Sequence, residues 1–401
     1  MRKVFLMLFL FMSVQTFAQI PNGYYASATG TGFALKSQLH TIIKNYVPKS
    51  YNSLWSLYST SAYRDNYYEN DGSLLDIYSE KINEIDFTNY NSTLLECGST
   101  TTSYEGLCYN REHLVPESFF ESYFNSIGID TSINSVAYYA KNDAHFIPPT
   151  DIRVNAWRGN LPFGRLSATN LNPCAGGDGP SFSPTNLPCY TSNVSKIGFN
   201  NNSGYSAGYT GNVFEPIDEF KGDVARAVLY FVTRYEDVLP LMYSTCSNTT
   251  AKAMFNGSSG QGLNATFLNI MKTWHQNDPV SEREIAINNR IYTHQSNRNP
   301  FIDHPEWVTT IWGSPLQTET FELLSAISVY PNPAVDNRIT IEAETILDEI
   351  NLISTNGQLM LQIKNPNSDN NRYLVENLPQ GFYFLKLFSN NESITKKIII
   401  N

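Results

Sequence analysis

The sequence predicts an α+β protein: a largely helical main domain with a small β-sandwich tail. Helical apolar spacing recurs between residues 34 and 312, and short alternating strands separated by turns follow residue 328. The length of 401 residues also exceeds what one core needs. Because 41% of residues are hydrophobic and 16% charged, the chain is neither largely disordered nor a coiled coil.

The first residues are typical of a secretory signal peptide. Arg2 and Lys3 precede an apolar run from Val4 to Met12, and small residues favour cleavage after Ala18. A membrane anchor is the alternative, but this run is too short to span a bilayer comfortably. We therefore predict a signal peptide over residues 1–18 and no stable membrane span after processing.

Five cysteines remain after that cleavage, and an exported chain can form disulfides. The odd number leaves at least one thiol unpaired within the chain. Sequence does not determine connectivity, and pairing of near neighbours would join Cys97 to Cys108 and Cys174 to Cys189. No Cys-x-x-Cys pair occurs, which argues against a structural zinc site.

The main domain, residues 19–320, carries the helical signals. Ser281, followed three residues later by Glu284, predicts a capping box at the start of one helix. The stretch 170–211 is rich in Gly, Ser, Asn and Pro and predicts a long surface loop. Three further helices are predicted at Ala34–Tyr46, Asp218–Tyr235 and Leu263–Trp274.

The tail, residues 325–401, follows a linker predicted near 314–327. Its short alternating segments separated by turn residues are typical of a β-sandwich. The predicted strands, after a start at Ser328, are Arg338–Ile341, Ile350–Ile353, Leu359–Ile363, Phe382–Phe388 and Thr395–Ile400.

Two polar clusters, at residues 110–116 and 143–160, contain the residue types that phosphodiester hydrolysis requires. Neutral histidine can deprotonate water near neutral pH. A hard divalent cation prefers oxygen ligands and needs few of them from the protein. An arginine can add a bidentate contact to phosphate. The residues that supply these groups are Glu112, His113, Asn155 and Arg158.

The second cluster predicts a short strand at Ala144–Ile147, a proline turn and a helix. Thr150 or Asp151 can cap that helix, which would run to about Arg158. Asn155 and Arg158 are three residues apart, so they share one helical face.

Glu112 and His113 are adjacent, so a regular strand would point them to opposite sides. They can converge only at a strand end or in a loop, and Pro116 is consistent with such a break. A surface salt-bridged turn is the alternative interpretation. His145 is interpreted as a supporting side chain, because it lies on the predicted inner strand.

The order of motifs in this region resembles the bacterial endonuclease I family, part of the His-Me finger (ββα-metal) superfamily. Together the motifs extend over residues 105–312. They are Glu112-His113-Leu114-Val115-Pro116, Asn155-x-x-Arg158-x-Asn160, Phe214-Glu215-Pro216, Lys221-Gly222-Asp223-Val224-Ala225-Arg226-Ala227, and the run from Gln295 to Glu306.

This resemblance implies a His-Me finger core with His113 as general base. It implies that Glu112 and Asn155 bind one divalent metal, Mg²⁺ with Mn²⁺ or Ca²⁺ as alternatives. Arg158 would be catalytic on the phosphate side, with Asn160 in support. The implied reaction cuts DNA, and in some relatives RNA, without sequence preference, leaving 5′-phosphate and 3′-hydroxyl ends.

The run from 295 to 306 is interpreted mainly as a docking and capping segment. Within it, Arg298 is a further supporting candidate. Ser296 stands where the family often has glycine, which predicts a differently shaped turn.

The tail resembles the C-terminal sorting domain of the type IX secretion system. That resemblance implies export across two membranes, the secretion machinery as a partner, and a secreted or cell-surface location. An ordinary β-sandwich binding module is the alternative. The matching segments are Val329-Tyr330-Pro331-Asn332-Pro333, Gly381 to Leu387 and Lys396 to Ile400.

Two function classes remain open from sequence. The first is a secreted, metal-dependent, nonspecific nuclease. The second is a cell-surface protein that binds nucleic acid or glycan through an inactive nuclease-like fold. A zinc protease is disfavoured, because no His-Glu-x-x-His pattern occurs. The net charge of −10 means that a DNA-binding surface must be a local basic patch.

Overall fold

The computed structural model divides the chain into two units, one of Met1–Asn201 with Gly208–Gly313 and one of Asn202–Ala207 with Ser314–Asn401. The predicted signal peptide, the Cys174–Cys189 pair and residues 314–326 of the predicted linker lie outside the described residues. Those described are 20–68, 70–80, 96–97, 106, 108–171, 195–313, 327–343, 346–354, 358–369, 372–389 and 392–401.

The first unit is mainly helical around one long buried helix, α6 (Lys221–Arg234), which packs against α9 and α1. The three helices predicted from apolar spacing are confirmed as α1, α6 and α9, with ends shifted by a few residues. The helices are α1 Gly32–Ile43, α2 Ser53–Tyr58, α3 Glu117–Ser126, α4 Tyr139–Asn142, α5 Ile152–Arg158, α6 Lys221–Arg234, α7 Leu239–Thr245, α8 Thr249–Lys252, α9 Ala265–Asn277, α10 Glu282–Gln295, α11 Pro300–Asp303 and α12 Glu306–Trp312.

Helix α10 begins with the predicted capping box. The Ser281 hydroxyl accepts a hydrogen bond from the Glu284 backbone N–H, and the Glu284 carboxylate accepts one from the Ser281 backbone N–H. Two backbone donors at the helix start are thereby satisfied.

The same helix ends at Ser296 in the left-handed conformation, with φ of +66° and ψ of +15°. Glycine adopts this conformation without steric cost, whereas a side chain is strained there. The serine therefore keeps the left-handed turn that a glycine favours.

We expect Ser296→Gly to stabilise the protein by about 0.5–1 kcal/mol, because relief of this strain exceeds the entropy that glycine adds to the unfolded chain. Urea unfolding of the wild type and the variant measures the difference. Ser296→Ala is the matched control and should bring no comparable gain, since its Cβ keeps the strain. Equal gains from both variants would contradict this explanation.

Two short strands, β1 (Tyr109–Arg111) and β2 (Pro149–Asp151), pair antiparallel. Helix α5 follows β2 directly. The Asp151 carboxylate accepts hydrogen bonds from the backbone N–H groups two and three residues later, which confirms the predicted cap. The result is a compact strand–strand–helix arrangement.

The strand predicted at Ala144–Ile147 is wrong. Residues Ala144–Phe146 form a single 3-10 turn, because the Asp143 carboxylate accepts a hydrogen bond from the His145 backbone N–H. The strand of this region begins later, at β2. The reason given for a supporting role of His145, its place on an inner strand, therefore fails.

A three-stranded antiparallel sheet lies between α5 and α6 in sequence, in the order β3-β4-β5. Its strands are β3 Leu166–Leu171, β4 Lys196–Asn200 and β5 Asn212–Glu215.

The second unit contains two antiparallel sheets, of order β10-β7-β6 and β12-β11-β8-β9, which share one buried apolar cluster. Every predicted strand is present. The strand at β10 was not predicted from sequence. The strands are β6 Ser328–Tyr330, β7 Ile339–Glu342, β8 Glu349–Ser354, β9 Leu359–Lys364, β10 Arg372–Val375, β11 Gly381–Ser389 and β12 Glu392–Ile400.

Cys97 and Cys108 are joined by a disulfide, as their proximity in sequence suggested. Cys246 is a free, buried cysteine. Across the described ranges, no helix combines the length and apolar character needed to cross a bilayer.

Candidate functional site

The strand–strand–helix arrangement brings the four proposed chemical residues into one neighbourhood. Glu112 and His113 directly follow β1, at the strand end where sequence reasoning allowed them to converge. Asn155 and Arg158 lie on α5, which follows β2. Because β1 pairs antiparallel with β2, α5 begins beside Tyr109 at the start of β1. Later residues of α5 then contact the other end of β1, through the bond of Asn155 to the Arg111 carbonyl oxygen and that of Arg158 to Glu112.

Glu112 is buried, with 2% of its surface exposed. Its Oε1 accepts hydrogen bonds from the Tyr78 hydroxyl at 2.9 Å and from the Arg158 Nη1 at 3.1 Å. Burial nevertheless raises the pKa of Glu112 to about 7, because desolvation outweighs the opposing effect of Arg158. The buried Glu112 side chain therefore keeps its proton to a higher pH than an exposed glutamate does.

His113 is held by a hydrogen bond from its Nε2 to the Lys141 carbonyl oxygen, at 3.0 Å. A carbonyl oxygen can only accept, so Nε2 carries the proton and the lone pair of the neutral ring lies on Nδ1. The ring stacks on Tyr51 with centroids 5.5 Å apart. Burial lowers the pKa of His113 to about 4, so the imidazole is neutral at physiological pH.

The depressed pKa of His113 makes its contribution to stability depend on pH. Between about pH 4 and 6.5 the unfolded chain protonates this histidine and the folded chain does not, so stability rises with pH through that window. The full effect is roughly 3 kcal/mol. Glu112, whose pKa is raised, contributes with the opposite sign between about pH 4.5 and 7.

We therefore expect the difference in unfolding free energy between wild type and His113→Gln to grow from pH 4.5 to pH 7. Taking the difference between the two unfolding free energies removes most of the Glu112 contribution, because both proteins retain that residue. Urea unfolding at several pH values measures this difference. Parallel curves of unfolding free energy against pH for the two proteins would show that burial does not lower the pKa of His113.

Arg158 is 1% exposed, and its guanidinium donates hydrogen bonds to acceptors of the protein itself. Besides Glu112, its Nη1 donates to the His113 carbonyl oxygen at 2.7 Å and its Nη2 donates to the Leu114 carbonyl oxygen at 2.6 Å. The guanidinium also lies 4.6 Å from the centroid of the Phe163 ring. These contacts fix the chain that carries the proposed base.

Asn155 is half-buried on α5, and its Nδ2 lies 3.4 Å from the Arg111 carbonyl oxygen, to which it donates. That contact keeps its Oδ1 as an acceptor. An amide oxygen is one of the ligand types that a hard divalent cation prefers. Within the described part of the chain, no three or more His, Cys, Asp or Glu side chains are grouped so that they could hold a metal ion.

The three supporting candidates have other partners. Asn160 is exposed and accepts a hydrogen bond from the Ser118 hydroxyl at 2.8 Å. His145 is buried, with Nε2 3.1 Å from the Asn297 carbonyl oxygen. The Arg298 guanidinium makes two hydrogen bonds to Asp303, at 2.6 and 2.7 Å. The Arg298 guanidinium also donates to Asn289 Oδ1 at 2.8 Å.

Sequence reasoning missed two residues that contact this neighbourhood. The Tyr78 hydroxyl donates to Glu112, and Tyr51 contacts both His113 and Arg111, whose guanidinium carbon is 3.6 Å from the Tyr51 ring centroid. With 25 tyrosines in the chain, nothing in the local pattern distinguished these two.

Comparison with known proteins adds independent observations. A family model described as Endonuclease I matches residues 31–306, and one described as Secretion system C-terminal sorting domain matches residues 328–401. The chain is similar to proteins named extracellular ribonuclease from Bacillus subtilis (strain 168) and Bacillus amyloliquefaciens. The identities are 30% and 29% over 293 residues, which is 72% of this chain and 78% of each relative.

Among solved structures, one from a study of PorZ matches this chain. The study describes PorZ as an essential bacterial surface component of the type-IX secretion system of Porphyromonas gingivalis. The match covers 21% of this chain and 13% of that chain, at 16% identity and a TM-score of 0.17.

Proposed function

The chain belongs to the Endonuclease I family, and on that premise we propose that it hydrolyses phosphodiester bonds of DNA and RNA without sequence preference, using a divalent metal. It is a nuclease, and its C-terminal sorting domain together with its extracellular relatives makes it a secreted or cell-surface protein. The type IX secretion machinery is the partner that this sorting domain implies. RNA is included because both curated relatives are named extracellular ribonuclease.

The observation that carries the proposal is the orientation of His113 beside Glu112. The Nε2–H bond to the Lys141 carbonyl oxygen holds one tautomer, in which Nδ1 can accept a proton from water. A substrate phosphate nearby favours the protonated ring, since its negative charge raises the pKa of the imidazole. We propose His113 as the general base of a His-Me finger core, for which the β1–β2–α5 order is the support.

Glu112 and Asn155 are the proposed metal ligands, with Mg²⁺ as the first choice and Mn²⁺ or Ca²⁺ as alternatives. When bound there, a divalent cation would stabilise the charge that develops on the phosphate and the leaving oxygen. Arg158 is proposed to position Glu112 and the His113 backbone rather than to contact phosphate, because its side chain is buried and bonded within the protein. Asn160 is exposed after α5 and is proposed as a supporting polar residue.

A phosphate-directed site of this kind carries no base information, so cleavage should be sequence-independent and weaken as salt increases. The test is digestion of plasmid DNA and of single-stranded RNA by the purified chain, with Mg²⁺ and then with EDTA. Metal-dependent cleavage that leaves 5′-phosphate ends supports the proposal. A folded protein that binds nucleic acid but does not cleave with Mg²⁺, Mn²⁺ or Ca²⁺ would favour the inactive binding protein instead.

A further inference from the structure

A short segment that the motifs do not include, Asp76–Tyr78, contacts the proposed site at two places, Glu112 after β1 and the start of α5. The Tyr78 side chain is fully buried, and its hydroxyl donates to Glu112 Oε1 at 2.9 Å. The Tyr78 ring packs 4.6 Å from the Phe214 ring, centroid to centroid. Packing of the ring therefore fixes the position of the Tyr78 hydroxyl relative to Glu112.

The backbone of this segment is anchored as well. Asp76 accepts a hydrogen bond from the Tyr78 backbone N–H at 2.8 Å. Its other carboxylate oxygen accepts from the Asp151 backbone N–H at 2.6 Å, at the start of α5. One carboxylate thus ties Tyr78 to the helix that carries Asn155, while the Tyr78 hydroxyl holds Glu112.

Two donors converge on the same oxygen of Glu112, since Arg158 Nη1 and the Tyr78 hydroxyl both bond Oε1. Two hydrogen bonds from different directions restrict rotation of the carboxylate, and they leave Oε2 outside this pair. Residues that orient a ligating carboxylate in this way typically change metal affinity 10- to 100-fold when they are removed.

We propose that Tyr78 is a positioning residue that holds the Glu112 carboxylate in the orientation required to bind the divalent cation. This inference rests on the proposed function. In this proposal the Tyr78 hydroxyl acts on the cation through Glu112. Loss of its hydroxyl should weaken metal binding while the rate at saturating metal stays close to that of the wild type.

The test compares Tyr78→Phe with Tyr235→Phe in the full chain. Tyr235 is the matched control, because its buried hydroxyl also donates to a buried carboxylate, that of Asp143, at 2.9 Å. We expect Tyr78→Phe to weaken Mn²⁺ binding about tenfold, measured by calorimetry, and Tyr235→Phe to leave it unchanged. In digestion assays, Tyr78→Phe should raise the metal concentration that gives half-maximal rate by the same factor, with kcat within about threefold of wild type.

Equal Mn²⁺ affinities for the two variants would overturn the inference while leaving the proposed function intact. Failure of the wild type to bind Mn²⁺ or to cleave would instead overturn the proposed function. If Tyr78→Phe folds poorly, both variants are made in the Ser296→Gly background and followed by thermal unfolding. The rise in melting temperature on adding Mn²⁺, relative to each metal-free protein, then reports affinity without any activity assay. An equal rise for both variants would again overturn the inference.

Discussion

Replacement of His113 by alanine is expected to lower kcat about 10³-fold while nucleic-acid binding is retained, because removal of a positioned general base typically costs 10²- to 10⁴-fold. The side chain donates one hydrogen bond, to the Lys141 carbonyl oxygen, and its ring packs against Tyr51, Phe120 and Phe146. Its loss should therefore leave the backbone of the site in place. Digestion of plasmid and RNA measures the rate, and fluorescence anisotropy with labelled DNA measures binding.

His294→Gln is the matched control for His113→Ala. His294 also has a pKa lowered by burial to about 4, and its Nε2 lies 3.2 Å from the Ser53 hydroxyl rather than beside Glu112. Its replacement should leave kcat within about twofold of wild type. Added imidazole should restore part of the activity of His113→Ala. Cleavage by His113→Ala at the wild-type rate would leave the nuclease activity established and show that His113 is not the general base.

Replacement of Arg158 by methionine should lower the free energy of unfolding by about 3–5 kcal/mol. The substitution removes the cationic partner of the buried Glu112 side chain and the Arg158 donors to two backbone carbonyl oxygens. The stability of Arg158→Lys should lie between those of the wild type and Arg158→Met, since lysine keeps the charge but cannot reproduce the planar guanidinium fork. Chemical unfolding of the three proteins measures the order.

A double-mutant cycle identifies the cause of that loss. If the unpaired carboxylate carries much of the penalty, Arg158→Met combined with Glu112→Gln should be more stable than the sum of the single variants predicts. Additive effects would contradict the view that Arg158 stabilises Glu112. They would leave the two carbonyl contacts as the main role of the arginine.

Local signals in the sequence were sufficient for much of the fold. The helices α1, α6 and α9, the capping box at Ser281 and the tail strands other than β10 depend on apolar spacing and on residues within a few positions of each other. The strand at Ala144–Ile147 was wrong because the apolar run could not reveal that Asp143 would accept a hydrogen bond and start a turn.

The residue types of the site could also be recognised from sequence. Glu112, His113, Asn155 and Arg158 follow from the motifs and their order along the chain. Their detailed roles could not be derived there. Whether Arg158 faces phosphate or backbone, and which nitrogen of His113 carries the proton, depend on contacts with residues that lie far away in sequence or have no motif.

The sequence by itself therefore determined the family, the sorting domain and the chemical groups available, because these are encoded in short motifs. Tertiary structure alone decided which groups are buried and which hydrogen bonds they make. Tyr78 lies 34 residues before Glu112, and Lys141 lies 28 residues after His113. Pairing of β1 with β2 and burial in a common core bring them together, and no local pattern in the chain encodes that proximity.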